Sequence, residues 1–166
     1  MVRIMPLTES DVPQILKIIR EVREEHGLKH RLGDVLEPSD RALLVTYRKQ
    51  HSRYFVAQVD SAIVGGAGIA PLPGAEALTC ELQRMYLRPR YRNRGIGKAL
   101  LDRCIKVASA LGYRGCYAET IHEMTRAIAL YRSRGFQRLD APLGDTGHSH
   151  NDCWLYLDLS IGGESI

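Results

Sequence analysis

The sequence predicts a single α/β (α+β) domain: a mixed, largely antiparallel sheet of about seven strands flanked by about four helices. Short runs of β-branched and aromatic residues alternate with segments whose apolar residues recur at spacings of three and four. Glycine, proline or a polar pair separates almost every segment from the next. The length of 166 residues is that of one domain, so 1–166 is read as a single unit.

Val2–Met5 is a short strand ended by Pro6. Ser10 is placed to cap a helix whose apolar residues Val12, Ile15, Leu16, Ile19 and Val22 share one face. That helix gives way near Gly27, and Glu24–Asp40, mixed in charge and carrying Gly33 and Pro38, reads as a loop. Ser39 or Asp40 then caps a second short helix reaching Arg48. Tyr54–Val59 and Ala62–Ala70 are strands joined by a tight turn at Asp60-Ser61. Gly65, Gly66 and Gly68 are costly inside a strand and point to a bulge or a close neighbour. Thr79–Leu87 is the next strand, stopped by Pro89. From Gly97 onward, Leu100, Leu101, Cys104, Ile105, Ala108 and Leu111 make an amphipathic helix that Gly112 closes. A strand (Gly115–Thr120), a helix (Met124–Arg134, ended by Gly135) and a strand (Phe136–Leu139) follow. A polar loop from Ala141 to Asp152 and a last strand, Cys153–Leu159, complete the order βααβββαβαββ.

Composition narrows the function classes. At 18.6 kDa the chain can bury roughly 69% of its unfolded surface, and 45% hydrophobic residues can fill such a core. A charged fraction of 25% and a mean hydropathy of −0.21 exclude disordered and collagen-like chains. No run approaches ~18 apolar residues, and Met1–Pro6 has no apolar signal core, so neither a membrane span nor a leader is expected. Cys80, Cys104, Cys116 and Cys153 lie far apart without a Cys-x-x-Cys pair, which reads as reduced thiols in a cytoplasmic protein. The net charge of +4 favours an anionic partner. Aromatic and basic residues do not alternate and no recognition helix stands out, so nucleic acid is not expected to be that partner.

The most informative stretch is Tyr86-Leu87-Arg88-Pro89-Arg90-Tyr91-Arg92-Asn93-Arg94-Gly95-Ile96-Gly97-Lys98-Ala99-Leu100-Leu101. A strand ends, a basic loop with two glycines follows, and an amphipathic helix begins. Helix N-termini carry N–H groups without intrahelical acceptors and about half a positive charge, which together favour an anion. Gly95 and Gly97 let the backbone approach a bulky phosphate, and Arg92, Arg94 and Lys98 add charge. The competing reading is a tight strand-to-helix turn. A Walker loop is excluded because Arg92 stands where its first glycine belongs and Ala99 follows Lys98. A dinucleotide fingerprint is excluded because position 100 is leucine.

Here the sequence resembles the GNAT superfamily of acyl-CoA-dependent N-acyltransferases. Arg92-Asn93-Arg94-Gly95-Ile96-Gly97 matches its Arg/Gln-x-x-Gly-x-Gly/Ala signature, and Ala127-Ile128-Ala129-Leu130-Tyr131-Arg132-Ser133-Arg134-Gly135-Phe136 resembles a second family block. The resemblance covers residues 54–139, and the element order extends it over the whole chain. It implies a GNAT-like sheet splayed between its fourth and fifth strands, and acetyl-CoA as co-substrate. The diphosphate would be held at Arg92, Asn93, Arg94, Gly95, Ile96, Gly97 and Lys98. The pantetheine arm would lie along the backbone at Met85, Tyr86 and Leu87. Tyr131 falls at the family's usual general acid. Met124 stands where an asparagine is common, so one cofactor contact is missing or replaced by Thr125.

Acetyl transfer to an amine needs a proton acceptor, an oxyanion donor such as a backbone N–H near Met85, and an acid for the departing thiolate. Two carboxylates compete as base. Glu119, at the end of a strand where family members place their acceptor, stands slightly ahead of Glu81, which shares strand parity with Met85 and Leu87. Asp152, His122 or a water chain are the alternatives. His148-Ser149-His150-Asn151-Asp152 would set alternate residues on one face of a strand, yet Gly144 and Gly147 mark a loop and no third strong ligand is near. This segment is read as lining an acceptor pocket, and no metal is expected. Tyr47, Tyr54 and Trp154 read as core or pocket wall.

The resemblance thus implies an N-acetyltransferase acting on a small-molecule or peptide amine without nucleic acid or membrane. The alternative is a non-catalytic acyl-CoA sensor module of the same fold. A homodimer would fit the family, though no sequence feature demands one. Glu24, Glu25, Asp34, Glu37, Asp145 and Asp152 suit a cationic amine, whereas His26, Lys29, His30 and Arg31 suit a carboxylate-bearing one.

Overall fold

The computed structural model describes residues 1–27 and 38–162. Its strands are β1 (Val2–Pro6), β2 (Arg53–Val59), β3 (Ala62–Pro71), β4 (Thr79–Leu87), β5 (Gly115–Thr120), β6 (Gln137–Leu139) and β7 (Cys153–Asp158). Its helices are α1 (Val12–Glu25), the short turns α2 (Pro38–Arg41) and α3 (Leu43–Tyr47), α4 (Ile96–Ala110) and α5 (Thr125–Ser133). The strands form one sheet in the order β1-β2-β3-β4-β5-β7-β6, in which β4 and β5 run parallel and the remaining neighbours antiparallel. This is the mixed sheet expected. The parallel ladder joins only Thr79–Glu81 to Gly115–Tyr117, while β4 continues to Leu87. Among the described residues no helix is long and apolar enough to cross a membrane.

The chain forms two compact units. One comprises Met1–Gly68 with Arg84–Cys104. Its core rests on α1, where Ile15, Ile18, Ile19 and Val22 follow the helical period and are buried. The α1 N-terminus is not capped by Ser10. A 3-10 turn, Glu9–Asp11, precedes it, and Thr8 and Asp11 form a reciprocal capping box, with the Asp11 carboxylate accepting from the Thr8 N–H at 2.8 Å. Gly66 and Gly68 belong to the close-neighbour reading: a Cβ on either would collide with the Tyr54 ring. The β2–β3 hairpin turns through Asp60 (φ +47°) and Ser61 (φ +69°), the paired left-handed geometry that matches strand twist.

The second helix departs from expectation. The second helix is broken into α2 and α3, and Asp40 is not its cap. The Asp40 side chain is fully buried and accepts from Arg23 Nη1 at 2.5 Å and Arg84 Nε at 2.6 Å. Arg84 has φ +47° inside β4, a left-handed conformation uncommon for a residue that carries a side chain.

The other unit comprises Ile69–Gln83 with Ile105–Ile166. β5 pairs along its whole length with β7, from Gly115↔Asp158 to Thr120↔Cys153, and β6 pairs with the other edge of β7. Tyr117, Ala118, Cys116 and Leu155 are buried here. The segment between β6 and β7 has no strand, so the alternating face imagined for His148, His150 and Asp152 does not exist. Lys29, His30, Arg31, Asp34 and Glu37, invoked for acceptor choice, lie outside the described residues.

Candidate active site

The basic loop is built by its backbone. After β4, Pro89–Tyr91 make one 3-10 turn and Arg92 is extended. Asn93 (φ +59°) and Gly95 (φ +76°) then turn left-handed before α4 starts at Ile96. Left-handed residues within such a turn fold successive N–H groups into a concave, anion-binding row. The first helical bond runs from the Ala99 N–H to the Gly95 carbonyl at 3.0 Å. The N–H groups of Ile96, Gly97 and Lys98 therefore precede every intrahelical acceptor. A Cβ on Gly95 would meet nothing within 4 Å, so glycine serves the backbone angle there, and the space beside it is open. Buried Ile96, Leu100 and Leu101 anchor the helix underneath.

The loop is braced from α1. Glu21 and Glu25, one turn apart, accept from Arg88 Nε at 3.1 Å and from both terminal nitrogens of Arg92 at 2.8 Å. Arg92 Nε also donates to the Leu87 carbonyl at 3.0 Å. Its two-pronged pair with Glu25 fixes geometry more than it adds stability, because it is partly solvated. Arg92 thus shapes the loop, and Arg94 and Lys98 are its exposed cations. Met85, Tyr86 and Leu87 lie in the half-buried end of β4, whose first four residues are buried. The Tyr86 hydroxyl is engaged by Arg23 Nε at 3.0 Å.

A second constellation lies in the other unit, where the β4–β5 ladder stops. Glu81, buried on β4, stands in register with Tyr117 on β5. The Tyr117 hydroxyl donates to Glu119 Oε2 at 2.8 Å. Glu119 Oε1 accepts from Thr146 Oγ1, from Asn151 Nδ2 at 3.2 Å, and faces His148 Nδ1 at 3.3 Å. Burial raises the Glu119 carboxyl, but His148, Thr146, Tyr117 and Asn151 outweigh it and hold the group below the ordinary carboxylate range. Tyr117 is pushed well above the ordinary phenol, by burial first and then by Glu119. His122 and Asp152 form an exposed pair, Nδ1 to Oδ2 at 2.5 Å and the His122 N–H to Oδ1 at 2.7 Å, which ties the loop to the end of β5. Glu123 Oε2 lies 3.6 Å from the same ring nitrogen.

Tyr131 is positioned by a helix stop. The Phe136 N–H bonds the Tyr131 carbonyl at 3.2 Å and the Gly135 N–H bonds that of Arg132 at 3.0 Å, with Gly135 at φ +92°. This is the six-to-one and five-to-two pattern that closes helices on a left-handed glycine. The Tyr131 and Phe136 rings pack 5.7 Å apart, the apolar contact that accompanies such a cap. Tyr131 is 7% exposed.

Comparison with known proteins decides the family. A model of the Acetyltransferase (GNAT) family matches residues 15–136. The chain belongs to the GNAT family of acetyltransferases. An uncharacterized N-acetyltransferase of Escherichia coli (strain K12), YjgM, is 41% identical to this GNAT chain over 143 residues, 86% of each protein. Among solved structures, a GNAT-family acetyltransferase of Staphylococcus aureus Mu50 superposes with a TM-score of 0.81 at 22% identity, covering 96% of this chain and 99% of that one. A phosphinothricin acetyltransferase of Sinorhizobium meliloti in complex with acetyl-CoA has a TM-score of 0.75 at 22% identity, covering 99% and 92%. This GNAT chain is therefore an acyltransferase with the fold of its relatives.

Its sequence singled out Glu119, Glu81 and Tyr131 and read His148–Asp152 as pocket lining, but it missed Thr146 and the gathering of His148 and Asn151 around Glu119. Thr146, His148 and Asn151 come from a loop that no periodic signal organises, 27 to 32 residues further along the chain. Asp40, Arg23 and Arg84 were equally hidden, being 17 and 44 residues apart.

Proposed function

We propose that this GNAT enzyme moves the acetyl group of acetyl-CoA to a primary amine by direct attack in a ternary complex. The main-chain N–H groups from Asn93 to Lys98 hold the diphosphate, Arg94 and Lys98 add charge, and Arg92 sets the shape of the loop. The backbone at Met85 and Leu87 aligns the pantetheine arm, and an N–H near Met85 receives the developing oxyanion. An alkylammonium of pKa ~10.4 costs about 4.6 kcal/mol to deprotonate at pH 7, so the enzyme needs a proton acceptor. The carboxylates Glu119 and Glu81 supply the negative charge for it, and Tyr131 protonates the departing thiolate. Four buried free cysteines favour a reducing, cytoplasmic setting.

One observation carries this reading: the left-handed turn at Asn93 and Gly95 that delivers open backbone N–H groups to the start of α4. Its test is a melting curve with acetyl-CoA and with acetyl-pantetheine, which lacks the diphosphate. At a hundredfold excess over Kd, acetyl-CoA contributes about 2.7 kcal/mol, roughly 5–10 °C for a chain of this size. Acetyl-pantetheine is expected to shift the curve far less. Equal shifts would refute the phosphate loop. Release of CoA thiol with a panel of L-amino acids, spermidine and a tripeptide then identifies the acceptor class.

A further inference from the structure

The Glu119 carboxylate sits badly for direct work on a substrate. Its side chain is 5% exposed, and both oxygens are engaged by groups of its own chain: Tyr117, Thr146, Asn151 and His148. A proton that leaves an amine and is stabilised by this carboxylate must therefore pass through one of those four. The Thr146 hydroxyl and the Asn151 amide do not titrate near neutrality. The Tyr117 phenol is driven further above neutrality by burial and by Glu119 itself. Histidine is the side chain whose charge ordinarily changes between pH 5 and 8. His148 is also the partner that reaches outward, with 34% of its side chain exposed against 5% for Glu119.

We propose that His148 accepts the proton of the acceptor amine and that Glu119 is its positioning residue. This rests on the transferase reading above. Glu119 faces Nδ1 of the ring at 3.3 Å, which fixes the tautomer with the proton on Nδ1 and turns Nε2 into the accepting nitrogen. The loop holds the ring as well: the His148 N–H donates to Thr146 Oγ1 at 3.2 Å, and that hydroxyl donates in turn to Glu119. Among the described residues, Glu119 from β5 faces the ring, and His150 from the same loop packs against it with ring centroids 5.9 Å apart. The rival pair, His122 with Asp152, is 64% and 47% exposed, so water competes for it from both sides.

The protons balance. The ammonium gives its first proton to Nε2 of His148, which passes it to solvent. The freed nitrogen attacks the thioester carbonyl, the N–C bond forms and the C–S bond breaks. Tyr131 protonates the thiolate, and its phenolate regains a proton from the second one that the new amide nitrogen sheds.

The test uses the full chain, its His148→Gln and Glu119→Gln variants, and the panel amine that releases CoA thiol fastest. Rates are followed from about pH 6 to pH 10, spanning the ordinary histidine and amine ionisations. The wild type should show kcat/KM rising through one ionisation near neutrality. His148→Gln should lose that inflection and about 100-fold in kcat at pH 7, with KM for acetyl-CoA unchanged. Its deficit should shrink as pH climbs and the amine deprotonates unaided, a recovery that mere disorder of the loop would not produce. Independently, the His148 ring proton followed by NMR should titrate at lower pH in Glu119→Gln than in the wild type. A His148→Gln variant that keeps the inflection, or a ring titration that ignores Glu119→Gln, overturns the proposal. A wild type that releases no CoA thiol with any panel amine instead counts against the transferase reading, and the ring titration still decides the pair.

Discussion

Asp40 is completely buried and holds two guanidinium groups, Arg23 at 2.5 Å and Arg84 at 2.6 Å. Burial works against both arginine charges, yet Tyr86 and Asp40 around Arg23, and Tyr47 and Asp40 around Arg84, more than offset it. Both cations hold their protons more tightly than ordinary arginine. The cluster has a backbone consequence. Arg84 occupies the left-handed region at φ +47°, a conformation worth of order 1–3 kcal/mol of strain for a side-chain-bearing residue. It is kept there by three contacts: the Tyr54 hydroxyl on its carbonyl at 2.9 Å, the Tyr47 hydroxyl on Nη1 at 2.9 Å, and Asp40 on Nε. Removing the shared anion leaves two buried cations without it. Asp40→Ala should therefore lose about 3–5 kcal/mol in urea unfolding. A loss below about 1 kcal/mol, the size of an exposed pair, would show that the arginines do not depend on Asp40.

At the scale of elements, legibility follows sequence separation. The Leu-Tyr-x-x-x-Gly-Phe block was readable because a helix cap is local: Tyr131, Arg132, Gly135 and Phe136 make the whole device within six residues. The glycine turn before α4 was readable for the same reason, since its left-handed residues and helix start are contiguous. α1 announced itself by period, but its role as the brace of the loop did not, because Glu21 and Glu25 meet Arg88 and Arg92 67 residues away. β4 was found by composition, whereas the kink at Arg84 was invisible because nothing in an arginine announces a positive φ. The cap of α5 gives a prediction at this scale. Alanine at position 135 would be forced to φ +92° with its Cβ 3.3 Å from Leu157 Cδ1. Gly135→Ala should cost about 1–2 kcal/mol in thermal unfolding, the penalty of a left-handed Cβ. No loss would mean that the helix ends by another route and that Tyr131 is not held by its cap.

For the whole molecule, buried titratable groups set the pH window of stability from both sides. Glu119 titrates below the ordinary carboxylate value when folded, so between the two values the unfolded chain binds more protons. Its contribution is complete above about pH 4.5, the ordinary value, and disappears as pH falls through the lower folded one. The tyrosines act in the opposite sense. Tyr54 and Tyr117 are pushed well above the ordinary phenol and Tyr113 up to about 12, burial being the leading cause in each. A folded phenol that keeps its proton longer favours the folded state up to about pH 10, and that contribution is lost as pH rises towards the folded values. Melting temperature against pH should thus be broad and level between these limits and fall on either side. Glu119→Gln should flatten the acid limb and leave the alkaline one in place, because the phenols that govern it are raised mainly by their own burial. An acid limb identical in Glu119→Gln and wild type would mean that the four-donor cradle around this carboxylate does not persist in solution.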